Sequence, residues 1–462
     1  MMGAAKAGSK TRTAATLRLA TVAACFGALV SLSGCADSLA GMSLPAMPKI
    51  TDLNPFAEKE QPLQGKRIEI IQQQETASTQ LTAGDRQVIL PEPRMNDSWS
   101  QPGGAPNNAP GHLALGSSVK VAWSADAGKG SSFYGKLTAS PIVAEGRVLT
   151  LDAAGRVSAF NAATGSTVWT ASLTPSKEKD QEGFGGGLAA DGGRVYATTG
   201  YGLVAALNLG SGKKLWEKSV GSPVRASPTA SAERVFVVSR EGIVYCLAGS
   251  DGSELWTFRG MPERASILAN QSPAVDGDIV VVPYPSGDIV ALRVSDGTSV
   301  WSDSLSRSRT ASSLASMSDA SRPAIDRGTV FAAGHAGRMI ATVQRSGERL
   351  WSLNVPSIQQ PAVAGETVFV VDTNGQAMAI TRADGKIQWS TKLAGSKNWS
   401  GPVIAGNRLW LASSTGSLVG VDAATGRVDT TQDLGAPVFI APIVAGGKMY
   451  VLTDKARLIA LN

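Results

Sequence analysis

The stretch Val157–Trp169, VSAFNAATGSTVW, decides the fold, because the chain repeats its pattern six more times. The later copies end at Trp216, Trp256, Trp301, Trp351, Trp389 and Thr430, at spacings of 47, 40, 45, 50, 38 and 41 residues. Self-similarity with a period of about 40–45 residues is typical of propellers, in which every copy forms one blade. The repeat therefore predicts a ring of similar units.

Three positions of the repeated window carry the physical signal. A Gly precedes the tryptophan by four residues in every copy, at 165, 212, 252, 297, 347, 385 and 426, and another precedes it by fourteen, at 155, 202, 242, 287, 337, 375 and 416. Gly accepts the positive φ of tight hairpin turns, so the two glycines bracket one strand. Ten before the tryptophan the residue is always small (Ala159, Ala206, Cys246, Ala291, Ala341, Ala379, Gly420), and a large apolar residue usually follows. This alternation indicates β-structure.

Two further strand-like runs precede each window, so every repeat holds four antiparallel strands, as a propeller blade does. An eighth repeat begins at Ala441 but stops before its fourth strand. The segment Val119–Trp123, VKVAW, supplies a strand at the other end of the repeats. We therefore predict an all-β, eight-bladed β-propeller over residues 119–462, with the last blade closed by this N-terminal strand. Such closure removes unpaired sheet edges.

The region before the blades divides into three predicted segments. Residues 1–34 carry basic residues, an apolar run and Ser33-Gly34 before Cys35, which is the pattern of a secretory signal. The small residues before Cys35 resemble the bacterial lipobox, which implies acylation of Cys35 and, with Ala36 following, delivery to the outer membrane; Asp37 leaves the sorting open, and an ordinary signal peptide remains the alternative. Residues 35–66 are Pro-rich and predict a flexible tether. For residues 67–118 we predict an N-terminal extension with short strands.

Charge and cysteine content exclude several classes of function. The net charge is +6, but Lys6, Lys10, Arg12 and Arg18 lie in residues 1–34, where there is no acid, so the rest of the chain carries +2. This diffuse charge does not predict a nucleic-acid partner. With Cys35 acylated and the signal removed, Cys246 is the one remaining thiol, and the chain has two histidines. No disulfide and no metal site are predicted.

The spacing of small residue, Gly and Trp resembles the tryptophan-docking motif of quinoprotein alcohol dehydrogenases, and thus the family of PQQ-like repeats. This resemblance implies that tryptophans pack between adjacent blades, namely Trp123, Trp169, Trp216, Trp256, Trp301, Trp351 and Trp389. The dehydrogenases also need a calcium ion, an Asp base and, in most members, a pair of adjacent cysteines. This chain has no such pair, and acids such as Asp251, Asp296 and Asp384 precede turn glycines. We expect no catalytic residue and no cofactor.

The combination of lipobox, tether and eight PQQ-like blades resembles the BamB family, the propeller lipoproteins of the outer-membrane β-barrel assembly machinery. The likeness is greatest to alphaproteobacterial members, which share the motif found at Asn96–Gly104, NDSWSQPGG. It implies a non-catalytic scaffold on the periplasmic side of the outer membrane, a monomer within a hetero-oligomeric complex, that docks to the POTRA domains of the β-barrel insertase and aids unfolded outer-membrane proteins. The alternatives are a periplasmic ligand-binding propeller of another envelope complex and a PQQ-dependent dehydrogenase.

The resemblance also implies which residues bind the insertase. It maps one docking stretch onto Arg264, Ile267 and Leu268, and the other onto Asp319 and Arg322. Both stretches depart from the family pattern, since Arg264 precedes its apolar partners and Ser321 replaces a second Asp. Independently of the resemblance, the longest spacing in the repeat contains the polar segment 302–322, which is either a recognition loop or a solvated one.

Overall fold

The structure is a computed structural model that describes residues 88–116, 119–178, 183–260, 271–305, 320–335, 337–396 and 398–462. These residues form strands β1 to β32, arranged in eight antiparallel sheets of four strands each. No helix long and apolar enough to cross a membrane is found among them.

Blades 1 to 4 are each made of four consecutive strands. Blade 1 contains β2 (Ile142–Ala144), β3 (Arg147–Leu151), β4 (Arg156–Asn161) and β5 (Thr167–Ser172); blade 2 contains β6 (Gly186–Asp191), β7 (Arg194–Thr199), β8 (Leu203–Asn208) and β9 (Lys214–Ser219). Blade 3 contains β10 (Thr229–Ser231), β11 (Arg234–Val238), β12 (Ile243–Ala248) and β13 (Glu254–Arg259); blade 4 contains β14 (Ala274–Asp276), β15 (Ile279–Pro283), β16 (Asp288–Arg293) and β17 (Ser299–Ser304).

Blades 5 to 7 follow the same order, and blade 8 combines strands from distant parts of the chain. Blade 5 contains β18 (Ala324–Asp326), β19 (Thr329–Ala333), β20 (Met339–Val343) and β21 (Arg349–Leu353); blade 6 contains β22 (Ala362–Ala364), β23 (Thr367–Val371), β24 (Gln376–Thr381) and β25 (Ile387–Lys392). Blade 7 contains β26 (Trp399–Ala405), β27 (Arg408–Ser413), β28 (Ser417–Asp422) and β29 (Val428–Asp433); blade 8 contains β30 (Ile443–Ala445), β31 (Lys448–Leu452), β32 (Arg457–Leu461) and β1 (Val121–Asp126).

The ring is closed by the pairing of β1 with β32. The two strands run antiparallel, with Trp123 opposite Ala460 and Ser124 opposite Ile459. Backbone hydrogen bonds in both directions between Lys120 and Asn462 extend the pairing by one position. β1 therefore satisfies the outer edge of blade 8, and the predicted eight-bladed propeller with an N-terminal closing strand is confirmed.

The small residue of each window is explained by what lies opposite it. On seven blades it pairs directly with the residue at the tryptophan position of the next strand, as Ala159 does with Trp169 and Cys246 with Trp256. A β-bulge follows immediately in each of these pairs. A short side chain leaves room for the indole, and the bulge re-aims the large residue that follows into the core. The Cys246 thiol is fully buried, and burial raises its pKa to about 12.

The described part of the predicted N-terminal extension is residues 88–116, where the structure has isolated bridges in place of strands, including Trp99 with Val143 and Leu113 with Ala405. Residues 67–87 lie outside the described residues, so the short strands expected there stay a prediction. Trp99 and Leu113 are buried in a core shared with residues of blades 1, 7 and 8. The segment has no repeat of its own, because its backbone pairs with a different blade every few residues.

Candidate partner-binding face

The centre of the ring is filled by residues 94–113, which we call the plug. The first strands of neighbouring blades lie side by side around the centre, so each presents one edge to the plug. The plug hydrogen-bonds to the first strands of seven blades, through Trp99 to Val143, Ser100 to Ala190, Gln101 to Ala230, Pro106 to Val275, Asn107 to Ile325, Leu113 to Ile404 and Asn96 to Val444. In the remaining blade, Gln360, just before β22, donates to the Asn108 carbonyl. The plug thereby supplies hydrogen-bond partners to strand edges that would otherwise be unpaired at the ring centre.

Glycine and amide side chains let the plug turn inside this narrow space. The Gly104 N–H donates to the Gln101 carbonyl at 2.9 Å, and Gly104 has a φ of +99°. A Cβ on Gly103 would lie 2.3 Å from Oδ1 of Asn108, so only Gly fits there. The Asn108 amide in turn donates to the Pro323 carbonyl at 2.9 Å. The motif Asn96–Gly104 thus has a structural role in the plug, in addition to its family likeness.

His112 fixes the exit of the plug toward blade 7. The Asn407 N–H donates to Nε2 of His112 at 3.0 Å. Nδ1 of His112 therefore carries the proton, and it donates to the Pro91 carbonyl at 2.7 Å. The ring is buried, with 2% of its surface exposed. This histidine joins two chain segments to a blade and is neither a free base nor an open ligand.

The fourth strand of each blade connects to the first strand of the next on one face of the ring, here called the interblade face. This face holds a small cavity at the ring centre. Its volume is about 180 Å³. Plug residues Trp99, Pro102 and Pro110 border it, together with residues that precede the first strands of several blades, such as Gln271 and Gln360. Small-molecule sites usually enclose about 300–1,000 Å³. The cavity bordered by the described residues is therefore smaller than an ordinary small-molecule site.

Arg322 is the one predicted partner-binding residue within the described part of the chain, and it lies in the wall of this cavity. Its Nε donates to Oγ of Ser272 at 2.7 Å, and one Nη donates to Oε1 of Gln360 at 3.1 Å. Burial lowers the pKa of Arg322 to about 10. The guanidinium therefore links the approaches to blades 4, 5 and 6, and its role as a partner contact stays a prediction.

The other predicted partner-binding residues lie outside the described residues. Arg264, Ile267 and Leu268 belong by sequence to the connection from β13 to β14, and Asp319 belongs to the connection from β17 to β18. Both are interblade connections of blade 4, whose described ends reach the edge of the central cavity at Gln271 and Arg322. Their assignment to partner binding remains a prediction, as does the acylation of Cys35, which also lies outside the described residues.

The seven tryptophans predicted to dock blades all contact the following blade. Each indole N–H donates, at 2.7–3.2 Å, to a backbone carbonyl there, in the order Trp123 to Ala162, Trp169 to Leu209, Trp216 to Gly249, Trp256 to Val294, Trp301 to Gln344, Trp351 to Arg382 and Trp389 to Ala423. The ring lies against the window Gly of that blade, where a Cβ would come within 2.4–2.9 Å of it. Each tryptophan thus couples two sheets through one hydrogen bond and one tight contact.

Thr430 interrupts this series at the interface of blades 7 and 8 for a topological reason. Blade 8 takes its third and fourth strands from β32 and β1, which no hairpin turn joins. The interface therefore lacks the turn carbonyl and the turn Gly that receive a tryptophan elsewhere. A residue without an indole at position 430 follows from the way in which the ring closes.

Within the described ranges, no group of three or more His, Cys, Asp or Glu side chains is arranged to hold a metal ion. The acids that sequence analysis placed in turns act as backbone acceptors there: Asp251 accepts from the Ser253 N–H and Asp296 from the Thr298 N–H. These hydrogen bonds lower the pKa of both carboxyl groups. The polar side chains that line the cavity at the ring centre are instead amides, hydroxyls and the Arg322 guanidinium, which are suited to recognition rather than to acid–base chemistry.

Eight blades coupled by tryptophan define the chain as a propeller of PQQ-like repeats, and comparison with known proteins specifies the family. The sequence model of the family described as outer membrane protein assembly factor BamB matches residues 114–180, 153–391 and 388–462. The chain belongs to the BamB family. The BamB of Yersinia pestis is 26% identical over 337 residues, which cover 71% of this chain and 85% of that protein.

Solved structures agree on the fold. BamB from Moraxella catarrhalis matches with a TM-score of 0.65 and 17% identity, covering 75% of this chain and 100% of that one. Quinohemoprotein alcohol dehydrogenase from Comamonas testosteroni matches almost as well, with a TM-score of 0.63 and 13% identity, covering 79% of this chain and 80% of that one. Fold alone does not separate these proteins, but the sequence family does. The chain belongs by sequence to a family of assembly factors, which bears out the prediction that it is not an enzyme.

Proposed function

We propose that this chain is a scaffold lipoprotein of the outer-membrane β-barrel assembly complex, which docks to the periplasmic POTRA domains of the barrel insertase and aids the insertion of barrel precursors. The observation that carries the proposal is the match of residues 114–462, all eight blades, to a family of outer membrane protein assembly factors. The plug supports it, because a centre occupied by the chain itself leaves the surface loops as the means of recognition.

The architecture suits a scaffold in physical terms. Indole contacts couple the blades, and the plug hydrogen-bonds to first strands around the ring, so the blades form a preformed framework. A partner that binds to this framework orders little of the propeller itself, so little conformational entropy is lost there. We place the insertase contact on the interblade connections of blade 4, with Arg264 and Asp319 orienting the partner and Ile267 and Leu268 supplying the apolar anchor.

Anchoring belongs to the same proposal. The signal pattern of residues 1–34 and the lipobox cysteine support attachment of Cys35 to the periplasmic leaflet of the outer membrane. Acyl chains of this kind hold a protein stably when two or more are present. The chain would thus be held at the membrane by its lipid anchor and at the insertase by a protein contact.

The experiment is recovery of the insertase with the lipidated chain after mild detergent solubilisation. Wild-type chain should carry the insertase with it. Asp319→Arg should weaken that binding by more than about 1 kcal/mol, roughly fivefold, because it reverses the charge of a side chain that orients the partner. Thermal unfolding should be unchanged. No insertase with the wild-type chain would refute the scaffold function itself.

Asp278→Arg is the matched control, since it makes the same charge change on the same blade. Asp278 lies in the turn between β14 and β15, away from the interblade face, and 66% of its side chain is exposed. Its one ion pair within the described residues, with Arg345, is 3.9 Å long and solvated. The control should bind the insertase normally. Equal binding by the two variants would remove Asp319 from the docking site and leave the scaffold function standing.

A further inference from the structure

A turn of two aromatic residues projects from the interblade face at the boundary of blades 8 and 1. Phe133 and Tyr134 lie in the connection from β1 to β2, and their exposed fractions are 92% and 75%. Their rings contact each other edge to face, with centroids 5.3 Å apart. Within the described residues no other large apolar side chain is as exposed as Phe133. Exposed apolar surface of this kind indicates a contact with something outside the chain.

The turn is rigidly built, so the exposure is not a consequence of a loose loop. The Ser132 N–H donates to the Gly135 carbonyl at 2.7 Å, and Oγ of Ser132 accepts from the Tyr134 N–H at 3.1 Å. At its base, the Ser131 N–H donates to the Asp454 carbonyl in blade 8 at 2.8 Å.

Blade 1 holds the other side of the base. The Ala153 N–H donates to the Lys129 carbonyl at 3.0 Å. Between these two attachments, Gly130 is so closely packed that a Cβ there would lie 2.5 Å from the Asp454 carbonyl oxygen. These contacts fix the base of the turn on both sides.

Lysines surround the aromatic turn. Lys129, Lys136 and Lys455 are exposed, and within the described ranges none of them forms an ion pair. Nearby acids are engaged by the protein itself: Oδ2 of Asp152 accepts from the Lys129 N–H at 2.9 Å, and Asp454 accepts from the Ser131 hydroxyl at 2.5 Å. The outer surface of the turn thus combines two aromatic rings with unpaired ammonium groups.

We infer that this turn is a membrane contact, in which Phe133 and Tyr134 enter the interfacial region of an anionic bilayer while the lysines meet the lipid phosphates. Aromatic rings favour the headgroup level of a bilayer, and each nearby Lys adds attraction to anionic lipid. A protein partner is less well matched, since Lys is depleted at protein interfaces and the rings stand on a convex tip. Long lysine stems can also extend their charges to the headgroups.

The position of the turn makes the contact compatible with docking elsewhere. The boundary of blades 8 and 1 lies on the far side of the ring from the interblade connections of blade 4. One edge of the propeller can therefore rest on a bilayer while the opposite edge binds a protein. The inference does not depend on the proposed insertase contact.

Vesicle co-sedimentation tests the inference with the chain from Ala36 onward, which keeps every described residue and carries no acyl chain. The probe is a vesicle of phosphatidylcholine with about one quarter phosphatidylglycerol, and the reference is pure phosphatidylcholine. We expect binding to the anionic vesicle. Phe133→Ser with Tyr134→Ser should weaken it at least about tenfold, and Lys136→Glu alone should weaken it about fivefold or more.

Ile89→Ser with Met95→Ser is the matched control, because both side chains are apolar and exposed, by 75% and 62%, but lie outside the turn. This control should bind like the wild type. Equal binding of the aromatic variant and the wild type, or equal binding to neutral and anionic vesicles, would overturn the inference. So would an aromatic variant that binds vesicles normally but loses the insertase, which would show that the turn is a protein contact.

Discussion

Replacing Trp99 by Ala should lower the free energy of unfolding by about 3–5 kcal/mol, the cost of emptying a buried tryptophan site. Only 3% of Trp99 is exposed, and its ring belongs to the core that joins blades 1, 7 and 8. Its backbone also pairs in both directions with Val143 in the first strand of blade 1, at 2.8 Å. The substitution leaves a cavity where the plug packs against blades 1, 7 and 8, in a core that several blades share.

The measurement is urea unfolding of the chain from Ala36 onward, followed by far-UV circular dichroism. Phe133→Ala is the control, because it also removes an aromatic ring but from a position that is 92% exposed. That control should change the free energy by less than about 0.5 kcal/mol. If Trp99→Ala is no more costly than Phe133→Ala, the plug does not stabilise the ring, and the central part of this structural account is wrong.

The blades could be predicted from the sequence because their determinants are local and repeated. Within thirteen residues, the Gly indicates a turn, the small residue indicates close packing and the Trp indicates docking to the next blade. Every copy repeats these three signals at the same spacing. Even the exception at Thr430 fits the predicted closure, since blade 8 has no hairpin turn to receive an indole. Closure itself could be predicted because a blade short of one strand requires a partner.

The plug could not be predicted in this way, because its contacts are specific, unrepeated and distant in sequence. Gln101 pairs with Ala230, and Asn108 reaches Pro323. Nothing in a periodic pattern reveals such pairs, and the residues involved are Pro, Gly and amides that suggest a turn-rich surface loop. Composition gives the one clue to the plug. A Trp in a stretch without periodicity has to be buried somewhere, and two amides buried with it need hydrogen-bond partners.

The candidate site was predicted only at the level of the loop. The sequence offers the polar segment 302–322 as either a recognition loop or a solvated one, but it does not reveal how deeply a side chain is buried. In the structure the Arg322 guanidinium donates to Ser272 and Gln360 in the wall of the central cavity. Exposed aromatic residues at Phe133 and Tyr134 were not singled out, because a Phe-Tyr pair in a sequence equally indicates a core strand. Only the three-dimensional structure distinguishes these cases.

Replacing Gly297 by Ala should lower the free energy of unfolding by about 2–4 kcal/mol, through two separable costs. Gly297 has a φ of +74°, which costs about 1 kcal/mol or more for a residue with a side chain. The new Cβ would also lie 2.5 Å from Cε3 of Trp256, the indole that docks blade 3 onto blade 4. Displacing that indole strains its 2.9 Å hydrogen bond to the Val294 carbonyl and adds about 1–3 kcal/mol of overpacking.

Gly277→Ala, in the same blade, isolates the second cost. Gly277 also has a positive φ, +58°, but nothing lies within 4 Å of a Cβ built there. It should therefore lose only the backbone contribution, about 1–2 kcal/mol, in the same urea experiment. The difference between the two variants measures how strongly one docking contact holds two blades together. Equal losses would show that the indoles tolerate displacement and that the ring is held by its plug and its closing strand instead.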